Sequence, residues 1–448
     1  METAAKDGAA PWSRHGQVRP PIGALPSVVD VLLVGCGPVG ATIANLLAHY
    51  GVHVLIVDKS PEVSIARRAI GLDSDALRIL QLAGIGDHDF ETSTIPYVRM
   101  RSPMLGQVGQ ISSASRLDGY PKPVTLYQHE LERCLRGNER WKFMLRPDER
   151  HENMKAEVRI REMVAPSGNP EDTMIERKAV YRFRTRTLNA SSRGRVFFAG
   201  DAAHISPPSV GRGLAAGLRD AANLCWKLAC VVQGRADSRI LDTYGEERRP
   251  HGKAITKLAR FMRKLVTPRN GGNALWAHGL MQLSPPVLPL RAQPDESQIQ
   301  PKKTTRRGVV VKGRSPTKLV RGAVIGQGRV RGLDGKARPS DEVFGQGLAL
   351  IGFGTDARAS LDSSEAAAFA RAGGSTVQIA HRGERPHLAR HDSWEDLDGV
   401  FLPRLVPVGW AAVVRPDKTV VHDGPATDAS RLVRESLSLP GQHCWVMQ

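Results

Sequence analysis

Gly35-Cys36-Gly37-Pro38-Val39-Gly40 is a GxGxxG run, and Asp58 follows Gly40 by eighteen residues. Glycines at these spacings let a backbone turn tightly and approach a pyrophosphate, and a carboxylate at that distance can accept from a ribose hydroxyl. Together they suit a dinucleotide. A second centre is Gly200-Asp201-Ala202-Ala203-His204, followed by Pro207, Pro208, Gly211 and Gly213. An acid at the carboxyl end of a strand lies where open α/β sheets place their ligands. His204 beside it reads as a structural hydrogen-bonding residue.

The elements that must position these residues are visible on either side. Val28–Val34 is a β-branched run before the first motif, Ala41–His49 is helical in pattern, and Val52–Val57 is a second apolar run that Asp58 closes. Strand, glycine turn, helix and strand form a compact β-turn-α-β. Arg195–Ala199 predicts a short buried strand ahead of the second motif, and a long helix runs from near Gly213 to about Val232. Its positive end points toward an anion or an electron-rich ring. Asp220, Asn223 and Lys227 share one face of that helix and read as packing or surface residues. The last hundred residues form a separate pattern: strand Leu348–Gly352, helix Ser363–Ala372, strand Thr376–Ala380, and a hairpin of Ala411–Val414 with Thr419–His422.

Composition narrows the class. A chain of 448 residues predicts two or three domains, and 41% hydrophobic with 24% charged residues is ordinary for a globular protein. Five cysteines without a CxxC pair give neither a disulfide framework nor a zinc spacing, so a reducing compartment fits, and no metal is expected. Val31 to Ala48, the most apolar stretch, is broken by the glycine turn and reads as strand and helix, not a membrane span. The first 26 residues read as a disordered leader. The net charge of +18 is concentrated in residues 301–340, where twelve basic residues face one acid, Asp334. That segment reads as a solvated connection; its alternative is an electrostatic footprint for nucleic acid.

The stretches GCGPVGATIANLLAHYGVHVLIVDK, RAIGLDSDALRIL, YQHELE, RVFFAGDAAHISPP and GLRDAANLCWKLA occur in this order. The series closely resembles the FAD-dependent aromatic hydroxylases of the 3-(3-hydroxyphenyl)propionate hydroxylase kind, over residues 28–136, 141–265 and, more loosely, 320–448. The resemblance implies an α/β fold with a Rossmann-like FAD-binding domain, an aromatic substrate sheet and a C-terminal thioredoxin-like domain lacking redox cysteines. It places FAD on Gly35, Gly37, Gly40, Asp58, Arg68, Gln128, Asp201, Pro207, Pro208, Gly211 and Gly213, with NADH or NADPH as transient reductant. Oxygen and a phenolic acid are the implied substrates, a cytoplasmic location and a homodimer are expected, and the flavin carries the chemistry, so no catalytic side chain is assigned.

Two departures qualify the resemblance. Only twelve residues separate Gln128 from Trp141, where the family inserts sheet strands and a middle DG motif. The expected organisation is therefore a leader at 1–26, an incomplete FAD-binding domain at 27–140 and 189–270, a remnant substrate region at 141–188, a basic linker at 271–345 and the thioredoxin-like domain at 346–448. The second departure is Arg212-Gly213-Leu214-Ala215, where the family usually has Gln first and Met-Asn last. Two functions stand against each other: a working hydroxylase, and a shortened homologue that keeps the signature without hydroxylating. The missing strands favour the second. A nucleic-acid binding module at 301–340 is the third.

Overall fold

Apolar runs of four or five residues, cut by glycine turns and joined through helices, set up a parallel strand pair and a seven-stranded sheet that share one central helix, with five smaller strand groups beside them among the described residues. A computed structural model describes residues 28–58, 71–125 apart from 87–88, 91, 96, 103–105, 113–115, 118 and 122–123, then 186–205, 213–266, 304–384 and 392–439. The first half contains β1 (Val31–Val34), α1 (Pro38–His49), β2 (Val54–Val57), β3 (Gly71–Leu72), α2 (Ser74–Leu82), β4 (Ser93–Thr94), β5 (Tyr97–Ser102), β6 (Gly106–Ser112), β7 (Arg116–Leu117), β8 (Tyr120–Pro121) and β9 (Val124–Thr125). Next come β10 (Arg186–Thr187), β11 (Ser192–Arg193), β12 (Val196–Phe197), β13 (His204–Ile205), α3 (Gly213–Val232) and α4 (Asp242–Val266). The last part holds β14 (Arg329–Arg331), β15 (Ala337–Pro339), α5 (Ser340–Val343), β16 (Ala349–Phe353), α6 (Ser363–Arg371), β17 (Ser375–Ala380), β18 (Ser393–Asp396), β19 (Trp410–Val414), β20 (Val420–Pro425) and α7 (Ala429–Leu437).

Helix α3 is apolar on several faces, and each face has a partner. Ala221, Cys225 and Ala229 pack on Ile43, Leu46 and Leu47 of α1. Ala215, Leu218 and Ala222 pack on Leu77 and Leu80 of α2. Trp226 and Cys230 enter the core of the C-terminal sheet beside Leu350, Val413 and Leu432.

Strands β1 and β2 pair in parallel, Val31 opposite Val54 through Val34 opposite Val57. Among the described residues this parallel sheet has two strands. Val31 and Leu33 face α1 and α3, whereas Leu32 is 55% and Val34 83% exposed. The expected buried strand at Arg195–Ala199 is corrected: among the described residues β12 pairs antiparallel with β11 alone, and Val196 is 57% exposed.

The C-terminal sheet has seven strands in the order β15-β14-β18-β17-β16-β19-β20. β16 runs parallel to β17, with α6 as the crossover, and antiparallel to β19. Alternate residues serve opposite faces: Leu350, Ala411 and Val413 turn to α3, α6 and α7, while Ala349, Ile351, Ala412 and Val414 meet Phe344 and Phe401.

The basic linker expected at 271–345 is corrected over 304–345, and the sheet domain begins before residue 346. Val309, Val310, Leu319, Ile325 and Val330 are buried between the basic residues, and β14 hydrogen-bonds to both β15 and β18. Distant acids answer the charge: Arg321 pairs with Asp423 at 2.8 Å, Arg329 with Asp398 at 3.1 Å and Arg331 with Glu395 at 2.8 Å. Residues 271–303, the leader at 1–26 and residues 141–185 of the substrate region lie outside the described residues.

Buried ion pairs join the two halves. Arg78 of α2 grips Asp341 of α5 through Nε and Nη2, and its Nη1 donates to Ile325 O at 2.6 Å. Glu247 of α4 lies 3.1 Å from Lys227 Nζ, accepts from Asn223 at 2.6 Å and from the Val309 N–H at 3.0 Å, and pairs with Arg415 at 2.9 Å. Burial alone would raise the Glu247 carboxyl; Arg415 and Lys227 overcome it and hold it at about 2.

An acid limb of stability follows. A folded value below the ordinary 4.5 means that this contribution is complete above about 4.5 and lost as pH falls toward about 2. It should amount to on the order of 3 kcal/mol, read as the fall in Tm across that window, and Glu247→Gln should flatten the limb. Lys227 acts in another window: burial lowers it from 10.5 to about 8, so its part of the stability rises with pH between those values.

Candidate functional site

The register of β1 with β2 brings the ends of both strands together, and the Gly35 N–H donates to Val57 O at 2.8 Å. Gly35 has φ +105°, a conformation few side chains tolerate. A Cβ on Gly40 would stand 2.0 Å from Gly35 O, so the loop closes onto α1 only with glycine there. Pro38 opens α1 and no acid occupies its first turn, which leaves the helix's positive end uncompensated and turned to the loop. Asp58 is exposed at the end of β2, and its Oδ2 accepts the Cys36 N–H at 2.6 Å. Sequence spacing placed this acid near the loop; the structure brings it into hydrogen-bond contact.

Val39 carries the first motif to the second. Added Cβ atoms on Gly200 and Gly217 would meet Val39 Cγ2 at 3.0 and 2.5 Å, and the Gly217 Cβ would stand 3.0 Å from Gly200 Cα. The nucleotide loop, the GD turn and α3 therefore meet at one point, each made small enough by a glycine. The turn Gly200–Ala202 presents Asp201 to solvent, and β13 then pairs with β10.

Asp220 of α3 lies beneath the turn. Its Oδ2 accepts the Gly200 N–H at 3.1 Å and lies 2.7 Å from His204 Nε2, and its Oδ1 accepts from Arg248 Nε at 2.9 Å. Burial would raise this carboxyl, but Arg248 and His204 hold it below the usual carboxylate range. The expected structural role of His204 agrees with this contact. Asp220, Asn223 and Lys227 are 1%, 5% and 0% exposed, so the surface alternative for this face is corrected. The legible signal was polar residues at i, i+3 and i+7 on a helix otherwise apolar around its circumference; they need buried partners, and α4 and the C-terminal sheet supply them.

Arg219, one residue before Asp220, reaches Asp73 at 2.5 Å and Asp75 at 3.2 Å. Asp73 also caps α2 by accepting the Ala76 N–H at 3.0 Å. The start of α2 is thus tied to α3 by charge as well as by apolar packing.

Of the predicted site residues, Gly35, Gly37, Gly40 and Asp58 form one loop, Asp201 lies on the turn joined to it through Val39, and Gly213 starts α3. A Cβ on Gly37 would meet nothing within 4 Å. Arg68, Gln128, Pro207, Pro208 and Gly211 lie outside the described residues. The arrangement fits a dinucleotide: backbone approach at the loop, a helix with no acid in its first turn, and exposed carboxylates at Asp58 and Asp201. Among the described residues no helix is long and apolar enough to cross a membrane.

Comparison with known proteins matches residues 28–156 and 139–259 to the FAD binding domain family, and residues 322–439 to the HcaD C-terminal domain. A 3-(3-hydroxy-phenyl)propionate/3-hydroxycinnamic acid hydroxylase of Burkholderia vietnamiensis is 28% identical, the alignment covering 87% of this chain and 93% of that one. A protein of the same description from Mycobacterium sp. strain JLS is 27% identical over 88% and 84% of the two chains. The Burkholderia alignment runs to 509 positions, more than the 448 of this chain, so the relative carries residues that this chain lacks. In fold, the chain is similar to the flavin-dependent monooxygenase PieE in complex with FAD and substrate, with TM-score 0.64 and 18% identity over 92% of this chain and 99% of that one. Aklavinone-11 hydroxylase with FAD and aklavinone gives TM-score 0.62 and 18% identity over the same shares.

Proposed function

Because the chain belongs to the FAD binding domain family, we propose that it holds FAD at the junction of the glycine loop and the GD turn and is built as a monooxygenase of phenolic acids. The observation that supports the reading is the contact of Val39, within the glycine loop, with Gly200 of the GD turn and Gly217 of α3, which sets the two motifs side by side. Gly35, Gly37 and Gly40 would receive the pyrophosphate, Asp58 the adenosine ribose and Asp201 the ribityl chain, with Arg68, Gln128, Pro207, Pro208, Gly211 and Gly213 completing the contacts. When bound, the flavin supplies the redox chemistry, taking electrons from NADH or NADPH and passing one oxygen atom of O2 to the ring. The protein's part is orientation: α1 and α3 turn their N-termini to the cofactor, and Asp201 fixes it by hydrogen bonds. The names of the Burkholderia and Mycobacterium relatives support a hydroxyphenylpropionate-like substrate.

The β16-α6-β17 and β19-β20-α7 units around one sheet support a thioredoxin-like C-terminal domain. The absence of a CxxC pair supports a role in packing, not redox chemistry, and with it a cytoplasmic location. We further propose a homodimer.

One observation favours a second reading, a shortened homologue that does not hydroxylate. The parallel sheet has two strands among the described residues, with Leu32 and Val34 outward, and the aligned relative is longer. The nucleic-acid reading of 301–340 weakens, since Arg321, Arg329 and Arg331 are engaged by acids of their own domain. A visible absorption spectrum of the purified chain, after adding FAD and removing the excess, decides the first step. A structured flavin band retained by the protein is expected. A colourless protein would overturn the FAD reading, and a yellow one that oxidises NAD(P)H with no hydroxylated phenol would select the shortened homologue.

A further inference from the structure

The GD turn is held from beneath by a single carboxylate oxygen. Asp220 Oδ2 accepts the Gly200 N–H at 3.1 Å and lies 2.7 Å from His204 Nε2, so one atom binds both ends of the segment that carries Asp201. Asp201 and Ala202 lie between those two points and are exposed, whereas Gly200 and His204 are buried. We propose that Asp220 is a positioning residue for the cofactor, acting through this clip to set the direction in which Asp201 is presented.

Three further observations support it. Gly200 has φ +58°, and the N–H that Asp220 accepts belongs to this same left-handed residue, so the clip fixes the dihedrals immediately before Asp201. Within the turn, the Ala203 N–H donates to Gly200 O at 2.9 Å, and the Leu188 N–H donates to Ala203 O at 2.9 Å. The frame around Asp201 is therefore closed on the side away from solvent. Arg248 occupies the other oxygen of Asp220 at 2.9 Å and also reaches Ala216 O at 3.4 Å, which locks the carboxylate's rotation. A buried carboxylate without such partners would be costly, and here every partner bears on the turn, on α4 or on α3 itself.

The proposal rests on the FAD reading for its consequence, but the clip is testable without flavin. Amide hydrogen exchange of residues 198–205 is measured in the apoprotein, and FAD affinity by quenching of flavin fluorescence, for the parent chain, Asp220→Asn, His204→Gln, and Val433→Ala as a cavity control in α7. An Asn cannot offer an accepting oxygen to both Gly200 and His204 and still receive Arg248. Asp220→Asn is therefore expected to speed exchange of that segment by roughly tenfold or more and to weaken FAD by a similar factor. His204→Gln keeps a donor toward Oδ2 and should stay within about threefold of the parent in both readouts. Val433→Ala, buried among Leu432 and Leu437, lowers Tm without selective loss at the turn.

Parent-like exchange and affinity in Asp220→Asn would overturn the proposal, as would a loss of FAD that tracks Tm equally in Asp220→Asn and Val433→Ala. A parent chain that protects residues 198–205 but binds no FAD would uphold the clip and sink the flavin reading instead. Should Asp220→Asn fail to fold, His204→Leu, which removes one end of the clip and leaves Arg248 paired, must still show both losses.

Discussion

Alanine at Gly40 is expected to weaken FAD binding by roughly 10- to 100-fold and to lower stability by about 1–3 kcal/mol. The added Cβ would stand 2.0 Å from Gly35 O and 3.1 Å from its carbonyl carbon, and both atoms are backbone. Neither can swing aside. Gly35 is tied to Val57 O at 2.8 Å, holds φ +105°, and is followed by Cys36, whose N–H is bound by Asp58. Relief must come from opening the loop, which withdraws the α1 N-terminus from the position a pyrophosphate would take. Charge-assisted hydrogen bonds of about 1.5–3 kcal/mol are what such a withdrawal costs, hence the range of affinities. Gly37→Ala separates fold from ligand: its Cβ would meet no protein atom within 4 Å and its φ of −71° suits any residue, so stability should stay near parental, while the added methyl stands where the pyrophosphate approaches and weakens FAD. Urea unfolding together with fluorescence titration of apoprotein with FAD separates the two, and an equal loss of stability in both variants would refute the steric account.

Glu247→Gln should destabilise the chain by about 3–5 kcal/mol, the cost of leaving buried cations without their counter-charge. Lys227 and Arg415 are both almost wholly inaccessible, and both lie against Trp226, at 5.6 and 5.3 Å from the ring centroid. With Glu247 neutral, Asp417, which pairs with Arg415 at 2.6 Å, would have to balance both cations from one side. The loss falls on the contact between α3–α4 and the C-terminal sheet, since Glu247 also receives the Val309 N–H. The unfolding midpoint in urea should drop accordingly, and the transition is expected to split as the two halves separate. Lys227→Met, Glu247→Leu and Arg415→Met together should recover only part of the loss, because they remove the desolvation cost of three charges but leave the buried Asp417 without Arg415 and the Val309 N–H without Glu247. If Glu247→Gln unfolds at the parental midpoint, the network has no role in holding the halves together.

Local rules of backbone and periodicity carried much of the reading. The GxGxxG turn was legible because its glycines answer to contacts within six residues, and α3 and the β16-α6-β17 unit because their periods of 3.6 and 2 are written into short stretches. The expected C-terminal elements lie within one residue of their observed ends, except β20, which runs to Pro425, three residues past His422. By itself, then, the sequence determined the nucleotide loop, the helices that point at it and the family to which the pattern belongs. Tertiary structure alone decided three other matters. Asp220, Asn223 and Lys227 became a buried network because their partners Gly200, Arg248, Glu247 and Asp417 come from other elements, and no local pattern states which polar face will be covered. The basic run after residue 303 became sheet and core because Asp398, Asp423 and Glu395 return from a distance to pair with its arginines. Val196 stayed at the surface, and Phe197 only half-buried against Tyr244, because a strand is buried by its neighbours, and β11 is the one strand paired with it among the described residues. In each case the deciding energy is desolvation, which depends on what else arrives and not on the residue's own type.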